Sequence, residues 1–233
     1  MPAEAAMAEI TSERQPKTVL VVIGADPLSS EALVEIPPAT TIIAADSGTD
    51  VALAAGIEPD LVVGDLDSIS PAGRRWAATH ARIEEYPADK DSTDTQLALA
   101  AAADLTPDRL VVLSGGGDRL DHVIAVLGAL ASGELTSIPT IDAVIADHHI
   151  RVLHGPGRTR LLVRPGSTLS TISLVGTATG VHLSGTRWEL AGVDLEPLSG
   201  RGVSNVTGAD SVDVAVTTGV LAIFHEPKTL EPS

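Results

Sequence analysis

The sequence predicts an α/β protein, with an N-terminal three-layer α/β domain on a mainly parallel sheet followed by a small all-β sandwich or barrel domain. Three observations predict it. Through the first two thirds of the 233-residue chain, short β-branched apolar runs alternate with segments of helical period. After His148 the helix signals vanish and short strand-like runs between Gly-rich turns take over. With 44% hydrophobic residues, the chain can bury a core large enough for two small domains.

The elements follow in order. Residues 18–23 and 40–44 read as strands, with a short helix near Glu31 between them. Residues 49–55 read as a helix stopped by Gly56, and 61–63 as a brief apolar strand running into Gly64. Ser70 and Pro71 are an N-cap and first-turn proline for a helix to about His80, and 83–86 is the next extended segment. Asp91 or Ser92 is the expected cap of a helix over 93–103. Residues 109–113 form a buried-strand pattern leading into Gly115-Gly116-Gly117. The stripe of Leu120, Val123, Ile124, Leu127 and Leu130 predicts the next helix, and 140–146 a further strand. Beyond it, 159–163, 168–175, 181–183, 211–216 and 220–224 read as strands. The expected division is a flexible segment over 1–16, an α/β domain over 17–148 and a β-rich domain over 149–233, with the boundary between Ala146 and His154.

Composition narrows the function. The formal charge of −16, from 31 acidic and 15 basic residues, opposes extended contact with nucleic acid or an anionic membrane. There is no cysteine, so disulfides and thiolate ligands are excluded. The N-terminal stretch lacks the apolar core of a signal peptide, and no apolar run approaches the ~18 residues of a membrane span. A cytoplasmic address is the expectation.

Three segments could carry chemistry. In Gly64-Asp65-Leu66-Asp67-Ser68 two aspartates follow an apolar strand, and anions held close require a neutralising cation. Magnesium suits them, because it takes hard oxygen ligands and bridges carboxylates to substrate phosphates. The plain alternative is an Asx turn. A second acidic loop, Lys90-Asp91-Ser92-Thr93-Asp94, opens the following helix, where capping and first-turn acids are the ordinary explanation. In the third, the glycines before Arg119-Leu120-Asp121-His122 let backbone N–H groups approach a phosphate, and Arg119 can clamp its oxygens. His122 reads as a packing or capping residue. Asp46-Ser47-Gly48, at another strand end, could hold a ribose or substrate hydroxyl or simply cap a helix.

Taken in order, these motifs resemble the thiamine pyrophosphokinase family, whose members show Asp-Gly-Gly, Gly-Asp-Phe-Asp-Ser, Lys-Asp-x-Thr-Asp, Arg-x-Asp-His, then a Trp and a Ser-Asn. The matching positions are Asp46-Ser47-Gly48, Gly64 to Ser68, Lys90 to Asp94, Arg119 to His122, Trp188 and Ser204-Asn205. The resemblance implies an α/β catalytic domain, a β-rich thiamine-binding domain and a homodimer with sites near the subunit interface. It also implies transfer of the diphosphoryl group of ATP to the thiamine hydroxyl, releasing AMP. Asp65, Asp67 and Asp94 are then the expected Mg2+ ligands, and Asp46, Lys90, Asp91, Thr93, Gly116 and Arg119 the nucleotide contacts. Arg119, Asp121 and Asp94 are expected to be catalytic, Asp121 orienting or deprotonating the attacking hydroxyl. Asp121, Trp188, Ser204 and Asn205 are expected to bind thiamine.

The chain departs from the pattern at Ser47, where a middle position needing φ > 0 predicts strain or rearrangement, and at Val126, where members often carry asparagine. Three other functions compete: a diphosphokinase acting on another hydroxymethyl heterocycle such as a pterin, a phosphatase using Asp65 as nucleophile, and a non-catalytic nucleotide-binding regulator.

Overall fold

The computed structural model describes residues 16–34, 36–117 and 119–228; residues 1–15 of the segment expected to be flexible lie outside them. Strands β1 (Thr18–Ile23), β2 (Thr41–Ala45), β3 (Leu61–Gly64), β4 (Arg82–Glu85), β5 (Arg109–Ser114) and β6 (Thr140–Ile145) run parallel in the order β4-β3-β2-β1-β5-β6. Every residue of β1 is buried, as its unbroken apolar run requires of a central strand covered on both faces.

Period-two alternation assigns the faces. Val19, Val21 and Ile23 pack against α4 (Asp94–Asp104) and α5 (Leu120–Leu130) through Ala98, Leu99, Ala102, Val126 and Leu130. Leu20 and Val22 pack with Ala32 of α1 (Ser30–Val34) and Ala52 of α2 (Gly48–Ala54), and Ala44 and Val62 with Ala77 of α3 (Pro71–His80). The chain leaves β1 toward β2 on one side and later returns to β5 on the other. The carboxyl ends of β1 and β5 therefore open a crevice, where ligands of such sheets collect.

Helix starts obey local chemistry. Ser70 caps α3 by accepting from the Gly73 N–H, with Pro71 in the first turn. At α4 the cap is Thr93, not Asp91 or Ser92. Its hydroxyl accepts from Gln96 N–H while the Gln96 side chain accepts from Thr93 N–H, a reciprocal box that only a residue three before Gln96 can close. Asp94 becomes the first helical residue and is not used as a cap.

From β7 (His148–His154) onward the strands pair antiparallel. β7 folds back on β6 through Ala146-Asp147 and is followed in the sheet by β13 (Thr218–His225), β9 (Thr168–Ser184), β12 (Ser211–Val216) and β8 (Gly157–Leu162), while β10 (Leu190–Leu195) and β11 (Asn205–Val206) add to β9. The sheet itself runs through this change of strand direction. β9 joins the two runs expected at 168–175 and 181–183, because Gly176 and Gly180, at φ 62° and 61°, bend the strand without ending it. Its first part pairs with β13 and its last with β10 and β12, which closes a second core around Leu169, Val181, Leu183, Val214 and Leu221. No helix among the described residues is long and apolar enough to cross a membrane.

Candidate active site

Three carboxylates converge at the carboxyl edge of the parallel sheet. Asp46 follows β2, Asp65 follows β3 and Asp94 opens α4, and one oxygen from each lies within 4.8 Å of the others. Asp46 is 7% exposed, and among the described residues its Oδ1 has no hydrogen-bond partner. Burial raises its pKa from the ordinary value, and the charges of Asp94, Asp65 and Asp67 add to that, against the Ser47 backbone hydrogen bond. A buried, unpartnered anionic oxygen beside two more carboxylates, all hard oxygen donors, fits a magnesium ion.

The backbone is shaped for this convergence. A Cβ on Gly64 would sit 3.0 Å from Asp46 Cβ and 3.1 Å from Asp94 Cγ, so glycine alone lets the three acids close up. Leu66 holds φ 62°, which for a branched side chain costs about 1–3 kcal/mol. Its side chain is buried with Ile69 and Ala77, and that packing anchors the loop between Asp65 and Asp67. Asp46 carries the left-handed conformation of its own turn, at φ 46°, whereas Ser47 is right-handed helical at φ −59°. Serine at 47 is thus unstrained, contrary to the expectation, because the positive φ falls one residue earlier, on a type that tolerates it.

Lys90 reaches into the cluster. Its Nζ lies 3.1 Å from Asp65 Oδ2 and 3.0 Å from Asp94 Oδ1, and its side chain is 14% exposed. The hydrogen bond from Lys90, helped by the Asp67 N–H, holds the Asp65 pKa below its ordinary value. Asp67 stands outside the triple: it is exposed and its Oδ1 accepts from the Ser68 hydroxyl. The structure therefore groups Asp46 with Asp65 and Asp94, where the sequence reading grouped Asp67. The reason is the turn after β2, which aims Asp46 inward while the Asp65-Leu66-Asp67 loop aims Asp67 at solvent.

Asp46 and Asp94 border a cavity of about 400 Å³ in the crevice between β1 and β5. Thr93, Gly116 and Arg119, expected nucleotide contacts, line it, Gly116 at φ 88°. Lys90, Asp91 and Asp121 do not line it, and Asp91 is exposed. Arg119 Nε and Nη2 donate to Asp121 Oδ1 and Oδ2 at 3.3 and 2.5 Å, which lowers the Asp121 pKa and makes that carboxylate an anchor for the guanidinium. Two lining features escaped the sequence reading. Gly24 to Asp26, directly after the central strand, could have been found from the strand-end rule; His122, read as packing, is exposed and faces the cavity.

Of the residues expected at thiamine, Trp188, Ser204 and Asn205 do not line this cavity, and Asp121 reaches it only through Arg119. Trp188 is 54% exposed, with the Arg187 guanidinium 4.8 Å from its ring centroid. Asn205 is buried and spends its amide internally: Oδ1 accepts from Trp188 N–H and Val206 N–H, and Nδ2 donates to Thr186 Oγ1 and the Trp188 carbonyl. It thus holds the Trp188 loop and has no donor left for a ligand. Ser204 sits at φ 60° with its N–H on Ser170 Oγ.

Comparison with known proteins agrees with this architecture. The family model described as "Thiamin pyrophosphokinase, catalytic domain" matches residues 35–141, and "Thiamin pyrophosphokinase, vitamin B1 binding domain" matches residues 147–221. A thiamine pyrophosphokinase of Bacillus subtilis (strain 168) is 36% identical over 114 residues, a match spanning 48% of this chain and 53% of that one. Among solved structures, thiamine pyrophosphokinase from Bacillus subtilis superposes with a TM-score of 0.76 at 26% identity, covering 91% of this chain and 100% of the other. The thiamin pyrophosphokinase of Candida albicans has the same fold, with a TM-score of 0.74 at 14% identity over 91% and 89%. With both parts of the chain matched in order, and the strand-end acids where the fold collects ligands, the chain belongs to the thiamin pyrophosphokinase family, a family of diphosphotransferases.

Proposed function

We propose that the chain transfers the diphosphoryl group of ATP to the hydroxyl of thiamine, giving thiamine diphosphate and AMP, with magnesium as cofactor. The observation that carries this is the convergence of Asp46, Asp65 and Asp94 within 4.8 Å beside a cavity at the switch point of the sheet. Asp46, Asp65 and Asp94 would hold the metal, with Asp67 beside them on the solvent-exposed loop. The ion neutralises polyphosphate charge, and Arg119, braced by Asp121, clamps phosphate oxygens. Gly116 and Thr93 bound the nucleotide pocket. The thiamine oxygen forms a bond to Pβ as the bond from Pβ to the bridging oxygen of AMP breaks. The hydroxyl proton passes to a phosphate oxygen, since Arg119 engages both carboxylate oxygens of Asp121.

Trp188 and its loop lie outside the cavity, so thiamine is bound between two copies, with Trp188 of a second copy covering the acceptor. The exposed Leu120 and Ile124 of α5 supply apolar surface for such a homodimer. A cytoplasmic address suits a reaction that consumes ATP. The test is an acceptor panel with MgATP. AMP formation with thiamine but not with a hydroxymethylpterin supports the proposal. AMP formation only with the pterin reassigns the acceptor, and free phosphate without any acceptor replaces transfer by hydrolysis.

A further inference from the structure

Lys90 does not face the nucleotide pocket; it is nested among the proposed metal ligands. Its ammonium lies 3.1 Å from Asp65 Oδ2 and 3.0 Å from Asp94 Oδ1, oxygens of two carboxylates that a divalent ion would use. The side chain is 14% exposed, so the pairing is screened less than a surface ion pair. Three carboxylates this close repel each other in the absence of a counter-charge. Lys90 is the cation the described residues bring into contact with both Asp65 and Asp94.

We propose that Lys90 is a built-in counter-cation that keeps Asp65 and Asp94 converged when no metal is bound and is displaced when the metal enters. The ammonium competes with a divalent ion for the same two carboxylates, so free metal binds against the Lys90 pairing. ATP changes the balance, because its phosphate oxygens offer the released ammonium a new partner. Metal and nucleotide therefore bind cooperatively, each tightening the other by the same factor. Free metal is held weakly, and the site fills mainly as a metal–nucleotide complex. This inference rests on the metal-site reading proposed above.

The experiment is titration of Mn2+ by electron paramagnetic resonance, with and without α,β-methylene-ATP, on the chelator-treated wild-type protein and on Lys90→Gln. Wild type is expected to bind free Mn2+ weakly and at least about tenfold more tightly with the nucleotide analogue, a coupling of ordinary allosteric size. Lys90→Gln is expected to bind free Mn2+ about tenfold more tightly than wild type and to lose most of the coupling. Its metal-free melting temperature falls, and Mn2+ restores it. A merely structural lysine would leave free-Mn2+ affinity unchanged or weaken it, and that result overturns the inference alone. So does wild-type protein in which the analogue leaves Mn2+ affinity unchanged, a test that needs no variant to fold. Wild-type protein that binds no Mn2+ in either condition sinks the metal-site reading itself and this inference with it.

Discussion

Asn205 brackets the backbone of Trp188 from both sides, its Oδ1 accepting from Trp188 N–H at 3.1 Å and its Nδ2 donating to the Trp188 carbonyl at 2.7 Å. The indole is thereby presented to solvent on a rigid loop and not packed into the core. Asn205→Ala leaves these buried groups unsatisfied, at a cost of about 1–3 kcal/mol. The expected outcome is a lower melting temperature and a KM for thiamine raised severalfold with the KM for ATP little changed, measured by steady-state kinetics. Equal effects on both substrates would separate the Trp188 loop from the acceptor.

Asp94→Asn keeps the shape of the helix start, since Thr93 and Gln96 supply the cap, but removes one anionic ligand of the proposed metal site. A metal site worth several kcal/mol then translates into turnover lower by about 10²–10³-fold. Melting temperature without metal should change little, because relief of repulsion in the triple offsets loss of the Lys90 ion pair. Turnover within a few-fold of wild type would remove Asp94 from the site.

These two positions also mark how far the residues alone were readable. The parallel strands, the crevice and the acidic strand ends were legible, because apolar runs and capping residues are local signals. Thr93 as the cap was legible too, had the box with Gln96 been weighed against Asp91. The inward turn of Asp46 was not, since its φ of 46° is imposed by packing around Ser47 and Gly48 and leaves no trace in composition. Strands β7 and β10 lacked clear expectations because His148 and His149, and the Gly192 turn in β10, interrupt the alternation that marks a strand. Asn205 looked like a ligand because a buried amide and a binding amide are the same residue type in sequence.

His225, on β13, offers a pH signature away from the site. Burial, reinforced by His149 and Arg151, lowers its pKa to about 4, and among the described residues its Nδ1 has no hydrogen-bond partner. The folded value lies below the unfolded one, near 6.5, so the unfolded chain binds more protons in between. The stability contribution is complete above about pH 6.5 and is lost as pH falls from there toward 4, on the order of 3 kcal/mol in all. Thermal melts between pH 7 and 4.5 should therefore fall more steeply for wild type than for His225→Phe. Parallel slopes would mean that His225 titrates normally.

The most direct test follows the phosphorus atoms. ATP labelled with ³²P at the β position is incubated with Mg2+, thiamine and the protein, and the products are separated. Diphosphoryl transfer at the Asp46, Asp65 and Asp94 site predicts label in thiamine diphosphate and unlabelled AMP, with the Asp94→Asn protein making little of either. Label retained in ADP, or label released as free inorganic diphosphate, would contradict it.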